Sequence, residues 1–266
     1  MNRCTPLTLT LRVSSQTQNG SAVVWPPRIA GQPAALVLEL FSPPRTLPRF
    51  QLLCSGLGFK ADGIALDLKI GWDADDIDNL RSMMHWQAEV VPEIVFASPP
   101  CTFFSRMQNL NRRKVPAQKR QALEVKAMHY LKIATTTCYQ QVLTGGGFIL
   151  EHPHSATSWS TDCVRELEHA SPTAQRVTFD QCQYGLRNPD GALLRKHTTL
   201  LTNMPFVVAA FNNKNCSKHC REQNVHGIVQ GHQQGMQVSV FVQQYPEQMV
   251  MALATACAQH LSFMHR

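Results

Sequence analysis

The 266-residue sequence predicts an α/β domain built on a parallel sheet, with a small, loop-rich C-terminal region. Three observations lead there. Short apolar runs of strand length alternate with stretches of helix formers, Pro and Gly punctuate the runs, and no internal repeat or low-complexity tract interrupts the alternation. Such connections imply right-handed crossovers, and parallel sheets of this kind bind ligands at the carboxyl ends of their strands.

Residues 36–41, Leu-Val-Leu-Glu-Leu-Phe, form an apolar run that ends in a Pro-Pro turn, the pattern of a strand buried on both faces. A helical stretch over 47–53 closes at Gly56 and Gly58, and 63–68 reads as a second strand ending on Asp67. Residues 75–88 have helical character. Residues 93–98 give a third strand, which Pro99 and Pro100 terminate because proline cannot continue a central ladder. A long helix over 117–143 stops at Gly145-Gly146-Gly147, and 148–150 forms the next strand, ending on Glu151. Further strands are expected at 176–180 and 197–202, separated by a Pro189-Asp190-Gly191 turn. Residues 203–236 read as loop-rich, and the apolar tail from Tyr245 to Leu261 reads as a helix packed back on the sheet.

Composition narrows the function classes. The 25 Lys and Arg against 18 Asp and Glu give a formal +7, which suits a polyanionic partner. With 16% charged and 44% apolar residues, disordered and coiled-coil classes are excluded. No apolar run is long enough to span a bilayer, so no membrane partner is expected. The nine cysteines are odd in number and scattered through a chain too long to need disulfide staples, which points to an intracellular, reducing compartment: nucleus, cytoplasm or an organelle. The first acidic residue is Glu39, so Arg3, Arg12 and Arg28 stand uncompensated, as in a transit peptide or a solvated tail.

Glu39, Asp67, Cys101 and Glu151 all fall at or near strand ends, so four reactive side chains are expected to converge on one edge of the sheet. Cys101 follows Ser98-Pro99-Pro100, whose prolines fix the turn immediately after an apolar strand. Alone it would read as a buried thiol, and Glu151 as a solvated carboxylate. Together they are the pair that methylation of a pyrimidine at C5 requires. That carbon becomes nucleophilic only after a thiolate adds to C6, and an acid must protonate N3 as charge arrives in the ring.

These residues resemble the motifs of the cytosine-5 DNA methyltransferases, which carry Pro-Pro-Cys after the fourth strand and Glu-Asn-Pro after the fifth. The similar segment covers about residues 36–155. The resemblance implies an S-adenosylmethionine-dependent methyltransferase (Rossmann-like) fold, with Cys101 as nucleophile and Glu151 as the N3 acid. It also implies cofactor contacts from Glu39, Phe41, Ser42 and Pro99, with Asp67 on the ribose hydroxyls. Arg195 and Lys196 follow Asp180-Gln181-Cys182-Gln183-Tyr184-Gly185, where the family has a glutamine and arginine motif, and so are expected on DNA phosphate. The implied organisation is a flexible segment over 1–34, a methyltransferase-like catalytic domain over 35–203, and a loop-rich region with a C-terminal helix over 204–266, in a monomer that acts on DNA.

Three departures stand out. Pro43-Pro44-Arg45 replaces the family's Gly-rich loop and removes two backbone donors that would meet the cofactor's carboxylate. His152 replaces the Asn that braces the catalytic loop, and the region after Arg195 is short for a target-recognition domain. Phage and dinoflagellate methyltransferase-like sequences, often associated with mobile elements, are similar in the Phe41-Ser42-Pro43-Pro44-Arg45 variant and across residues 180–185 and 195–198. A catalytically inactive, nucleic-acid-binding relative is the alternative, whereas an exocyclic amino-methyltransferase would carry an aromatic residue in place of Cys101. Cys216, His219, Cys220 and His226 cluster as zinc ligands do, but not with the spacing of a common finger, so no metal is assigned; with Lys214, Lys218 and Arg221 they also suit DNA phosphate.

Overall fold

The side chains of the first strand, β1 (Ala34–Leu40), alternate between two helical layers. Leu36, Leu38 and Leu40 pack with Met83, Trp86 and Leu131, while Ala35 and Val37 pack on the opposite side with Phe50, Leu253 and Cys257. In this computed structural model residues 34–43, 45–56, 60–105, 114–216, 226–227, 232–233, 236–237 and 243–264 are described. Nearly all of the N-terminal segment expected over 1–34 therefore lies outside the described residues.

The remaining strands are β2 (Lys60–Leu66), β3 (Ile94–Ala97), β4 (Gly147–Pro153), β5 (Gln175–Asp180), β7 (His197–Thr202) and four of two residues each, β6 (Leu193–Leu194), β8 (His226–Gly227), β9 (His232–Gln233) and β10 (Met236–Gln237). The helices are α1 (Thr46–Gly56), α2 (Ile77–Val90), α3 (Ala117–Leu143), α4 (Asp162–Ala170), α5 (Pro205–Phe211) and α6 (Glu247–Met264). Six strands form one sheet in the order β2-β1-β3-β4-β7-β5, with α2, α3 and α4 against one face and α1, α5 and α6 against the other. The architecture is α/β and compatible with a Rossmann-like sheet. Because β2 and β3 flank β1 on opposite sides, the winding reverses between β1 and β3, which opens a crevice at their carboxyl ends.

The sheet is mixed, which corrects the expectation of an all-parallel one. β1 to β4 run parallel, but β7 lies antiparallel to both β4 and β5. A parallel return from β5 needs a crossover, usually a helix. Residues 181–196 hold only a short helical turn and β6, so β7 comes back beside β5 in the opposite sense.

Two helices went unread in the sequence. α4 is nine residues long and buries Cys163, Val164 and Leu167 on one face, a helical spacing that the sequence does carry over barely two turns. α5 has seven residues and starts on Pro205, which suits a first helical turn, inside the stretch expected to be loop-rich. Among the described residues no helix is long and apolar enough to cross a membrane.

The C-terminal helix α6 closes the core on the α1 side through Met249, Leu253, Cys257 and Leu261. Leu253 is fully buried, so Leu253→Ala should cost about 2–5 kcal/mol in urea unfolding, as a core cavity does. Leu143, at the exposed end of α3, is the control: its replacement by Ala should change stability by no more than about 0.5 kcal/mol. Equal losses at the two positions would mean that α6 does not pack as described.

Candidate active site

A cavity of about 270 Å³ opens at the carboxyl edge of the sheet, close to the lower bound of about 300 Å³ for small-molecule sites. Each parallel strand delivers one wall. Phe41 follows β1, Asp67 follows β2, Ser98 to Cys101 follow β3, and Glu151 belongs to β4. Lys196, just before β7, and Tyr245, just before α6, close the remaining side.

The turn that carries Cys101 is held at several points. Ser98 N–H donates to Leu40 C=O at 3.0 Å, one residue beyond β3, and the ladder then ends because Pro99 and Pro100 have no N–H. His152 Nε2 lies 3.0 Å from Pro99 C=O, and its Nδ1 lies 2.6 Å from Ser158 Oγ. A carbonyl only accepts, so Nε2 carries the hydrogen and Nδ1 accepts from the Ser158 hydroxyl. Burial holds the His152 pKa below its ordinary value, which keeps the ring neutral and this tautomer in place. Beyond the cysteine, Phe104 N–H donates to Cys101 C=O at 3.1 Å, and Phe104 C=O accepts from Thr157 N–H at 2.9 Å. His152 thus ties the Cys101 turn to Ser158 through the two nitrogens of its ring.

Burial raises the pKa of the half-buried Cys101 thiol, the Glu151 charge raises it further, and Lys196 opposes both. Glu151 is buried, and its Oε1 has no hydrogen-bond partner among the described residues. An orphaned acceptor on a cavity wall is a place for a ligand donor. The Tyr245 phenol is pushed well above its ordinary pKa by burial and then by Glu151, so it stays neutral, with its hydroxyl 2.8 Å from Ser98 Oγ. Two cations lie over its ring, the Arg45 guanidinium at 4.9 Å and Lys196 Nζ at 5.5 Å from the centroid.

Of the residues expected in the site, Phe41, Asp67, Pro99, Cys101, Glu151 and Lys196 share this cavity. Phe41 has φ 57°, a strained left-handed conformation for an aromatic residue, and packs 5.6 Å from the Tyr130 ring and 6.1 Å from the Trp72 ring. Asp67 accepts from Lys69 N–H at 2.8 Å through Oδ1, which leaves most of its acceptor capacity uncommitted.

Three residues expected to make contacts lie off the cavity wall. Glu39 does not line the cavity: its buried carboxylate accepts N–H groups of Arg45, Thr46 and Leu47 at 3.2, 3.0 and 3.1 Å, capping α1. The cause is strand parity, since Glu39 shares the face of Val37, toward α1. Burial raises its pKa, partly offset by those donors. Ser42 is also buried off the cavity, donating its hydroxyl to Pro43 C=O at 3.0 Å. Arg195 pairs through Nε with the buried Asp180 at 3.0 Å, while its side chain stays exposed. Pro44, with His219 and Cys220 of the sequence cluster, lies outside the described residues.

Sequence reasoning missed Trp72, Tyr130, Arg45 and Tyr245 as wall residues. Each sits in a turn or on a helix face where no local pattern marks it. No protein-family model matches the chain, and no curated protein matches it.

Two outcomes follow. Glu151→Gln removes the negative charge that raises the Cys101 pKa, so iodoacetamide should alkylate Cys101 faster at pH 8. Lys196→Ala should slow it, each unit of pKa being worth about tenfold in thiolate below the pKa. Peptide mass spectrometry resolves the site, and the reverse ordering would overturn the electrostatic assignment. His152→Ala should cost about 1–3 kcal/mol because the Pro99 carbonyl and Ser158 lose their partner, whereas His152→Asn, which keeps a donor, should cost less in the same unfolding measurement.

Proposed function

We propose that the chain is an S-adenosylmethionine-dependent DNA (cytosine-5)-methyltransferase, with Cys101 as the nucleophile and Glu151 as the acid at N3. One observation carries this: a thiol on a proline-framed turn and a buried carboxylate with an unpartnered oxygen share one cavity at the point where the sheet reverses its winding. The residues present also fit the cofactor. Phe41, Trp72 and Tyr130 supply aromatic surface for a purine, and Asp67 supplies acceptors for ribose hydroxyls. The α1 donors are occupied by Glu39, so the cations on the cavity wall, Arg45, Lys69 and Lys196, are the groups left to meet a carboxylate.

When bound, S-adenosylmethionine supplies an electrophilic methyl group on a sulfonium. Cys101 gives its proton to the Glu151 carboxylate, with Lys196 offsetting the thiolate charge, and its sulfur forms a bond to cytosine C6. Glu151 passes that proton on to N3, so the electron pair displaced from the 5,6 double bond makes C5 nucleophilic. After methylation, water takes the C5 proton and the Glu151 carboxylate takes back the N3 proton, which restores the double bond and expels the Cys101 thiolate. Tyr245, hydrogen-bonded to Ser98 and beside Glu151, keeps the carboxylate and the turn in register. The formal +7 of the chain suits a DNA substrate.

A second reading, a nucleic-acid-binding relative without catalysis, is favoured by the Glu39 carboxylate occupying the α1 donors. DNA containing 5-fluorocytosine separates the two. Fluorine at C5 cannot leave as a proton, so after methyl transfer the enzyme should remain attached in a complex that survives denaturation. The complex should require S-adenosylmethionine, vanish in Cys101→Ala, and form at least about a hundredfold more slowly in Glu151→Gln. Wild-type protein that binds DNA and cofactor yet never forms the adduct would leave the non-catalytic reading in its place.

A further inference from the structure

Three soft donors from three separate segments meet on the far side of Asp180, away from the cavity. Cys182 lies in the helical turn after β5, Cys216 follows α5, and His226 stands on β8, which pairs with β6. Both cysteines are buried and His226 is half-buried. Their ligand atoms all lie within 4.8 Å of one another, with Cys216 Sγ 3.5 Å from His226 Nε2. Around a tetrahedral zinc with bonds of about 2.3 Å to sulfur and 2.0–2.1 Å to nitrogen, neighbouring ligand atoms stand about 3.5–3.8 Å apart. The Cys216–His226 pair already stands at that spacing, and Cys182 lies within 4.8 Å of both.

We propose that Cys182, Cys216 and His226 bind a structural Zn²⁺ that ties the loop-rich C-terminal region to the end of β5. Thiolate and imidazole together select zinc over hard cations. Binding is balanced by deprotonation: two thiols release two protons, the neutral imidazole gives a lone pair, and the two thiolate charges cancel those of the ion. The fourth position belongs to water or to a further donor. Such an anchor suits its place, because the described strands between α5 and α6 are only two residues long. Cys216 is fixed independently, its N–H donating to Asp180 Oδ2 at 2.7 Å.

The test is metal analysis of full-length protein purified without a metal-affinity step from zinc-supplemented medium. Wild type should carry about one equivalent of zinc, and Cys182→Ser and Cys216→Ser should each fall below about a tenth. Cys163→Ser, a buried cysteine on α4, should keep its zinc. Exchange of cobalt into wild type should give a thiolate-to-metal charge-transfer band, a readout that needs no variant to fold. A wild type with less than about a tenth of an equivalent of zinc and no such band would overturn the proposal, leaving a thiol–imidazole hydrogen bond. A Cys182–Cys216 disulfide in the unreduced protein, seen as the loss of two hydrogens by mass, would overturn it equally.

Discussion

The carbonyl of Pro99 lies where the β3 ladder has run out of backbone donors, and His152 on β4 supplies the missing one. The geometry of the cavity hangs on this bond. β3 and β4 are paired in parallel with Ala97 opposite Leu150, so the residues that leave the two strands emerge side by side. A parallel pair cannot be shifted by one residue without turning every side chain to the wrong layer, so the register that buries Phe96 and Ile149 also sets Glu151 beside the Cys101 turn. His152 has the opposite parity and faces the α3 side, where Trp159 and Phe104 pack around its ring. Adjacent residues of one strand therefore divide the labour: Glu151 faces the cavity, and His152 secures the loop that frames it.

The same alternation explains Glu39. A carboxylate on the α1 face of β1 meets the start of a helix, where three N–H groups lack partners and the helix dipole favours negative charge. Sealing that helix internally removes an anion site that a Gly-rich loop would leave open. Recognition of an acidic ligand then shifts to side-chain cations. Arg45 illustrates the exchange, since its N–H is spent on Glu39 while its guanidinium sits over Tyr245 on the cavity wall.

Much of this was legible in the sequence because local chemistry decides it. The prolines after β3 end that strand wherever it lies in a sheet, and helix formers bounded by Pro116 and the triple glycine give α3 its observed limits of 117 and 143. The placing of Cys101, Asp67 and Glu151 at one edge needed only strand ends and a parallel sense. What failed was decided at longer range. The direction of β7 depends on what its connection from β5 lacks, and the side to which Glu39 turns depends on a parity that a six-residue apolar run, buried on both faces, does not display. Tyr245 belongs to the site only because α6 folds back across the sheet, a contact spanning most of the chain.

Asp180 shows how the loop-rich region reaches the proposed chemistry. Burial by itself would raise this carboxyl, but the Cys216 N–H, Arg195 and His197 together hold it below the usual carboxylate value. Its Oδ1 lies 3.0 Å from Arg195 Nε and 2.8 Å from His197 Nδ1, so the residues on both sides of Lys196 are fixed to one buried anchor. Lys196 C=O is held as well, accepting from Gln181 N–H at 3.0 Å. With its backbone pinned on both flanks, Lys196 has only its own side chain to lose in reaching over Tyr245 toward Cys101, which lowers the entropic cost of placing a cation there. Cys216 draws its backbone bond from the same carboxylate, on the second oxygen. The Cys182–Cys216–His226 cluster and the cation opposite the Cys101 thiol are thus braced by one side chain.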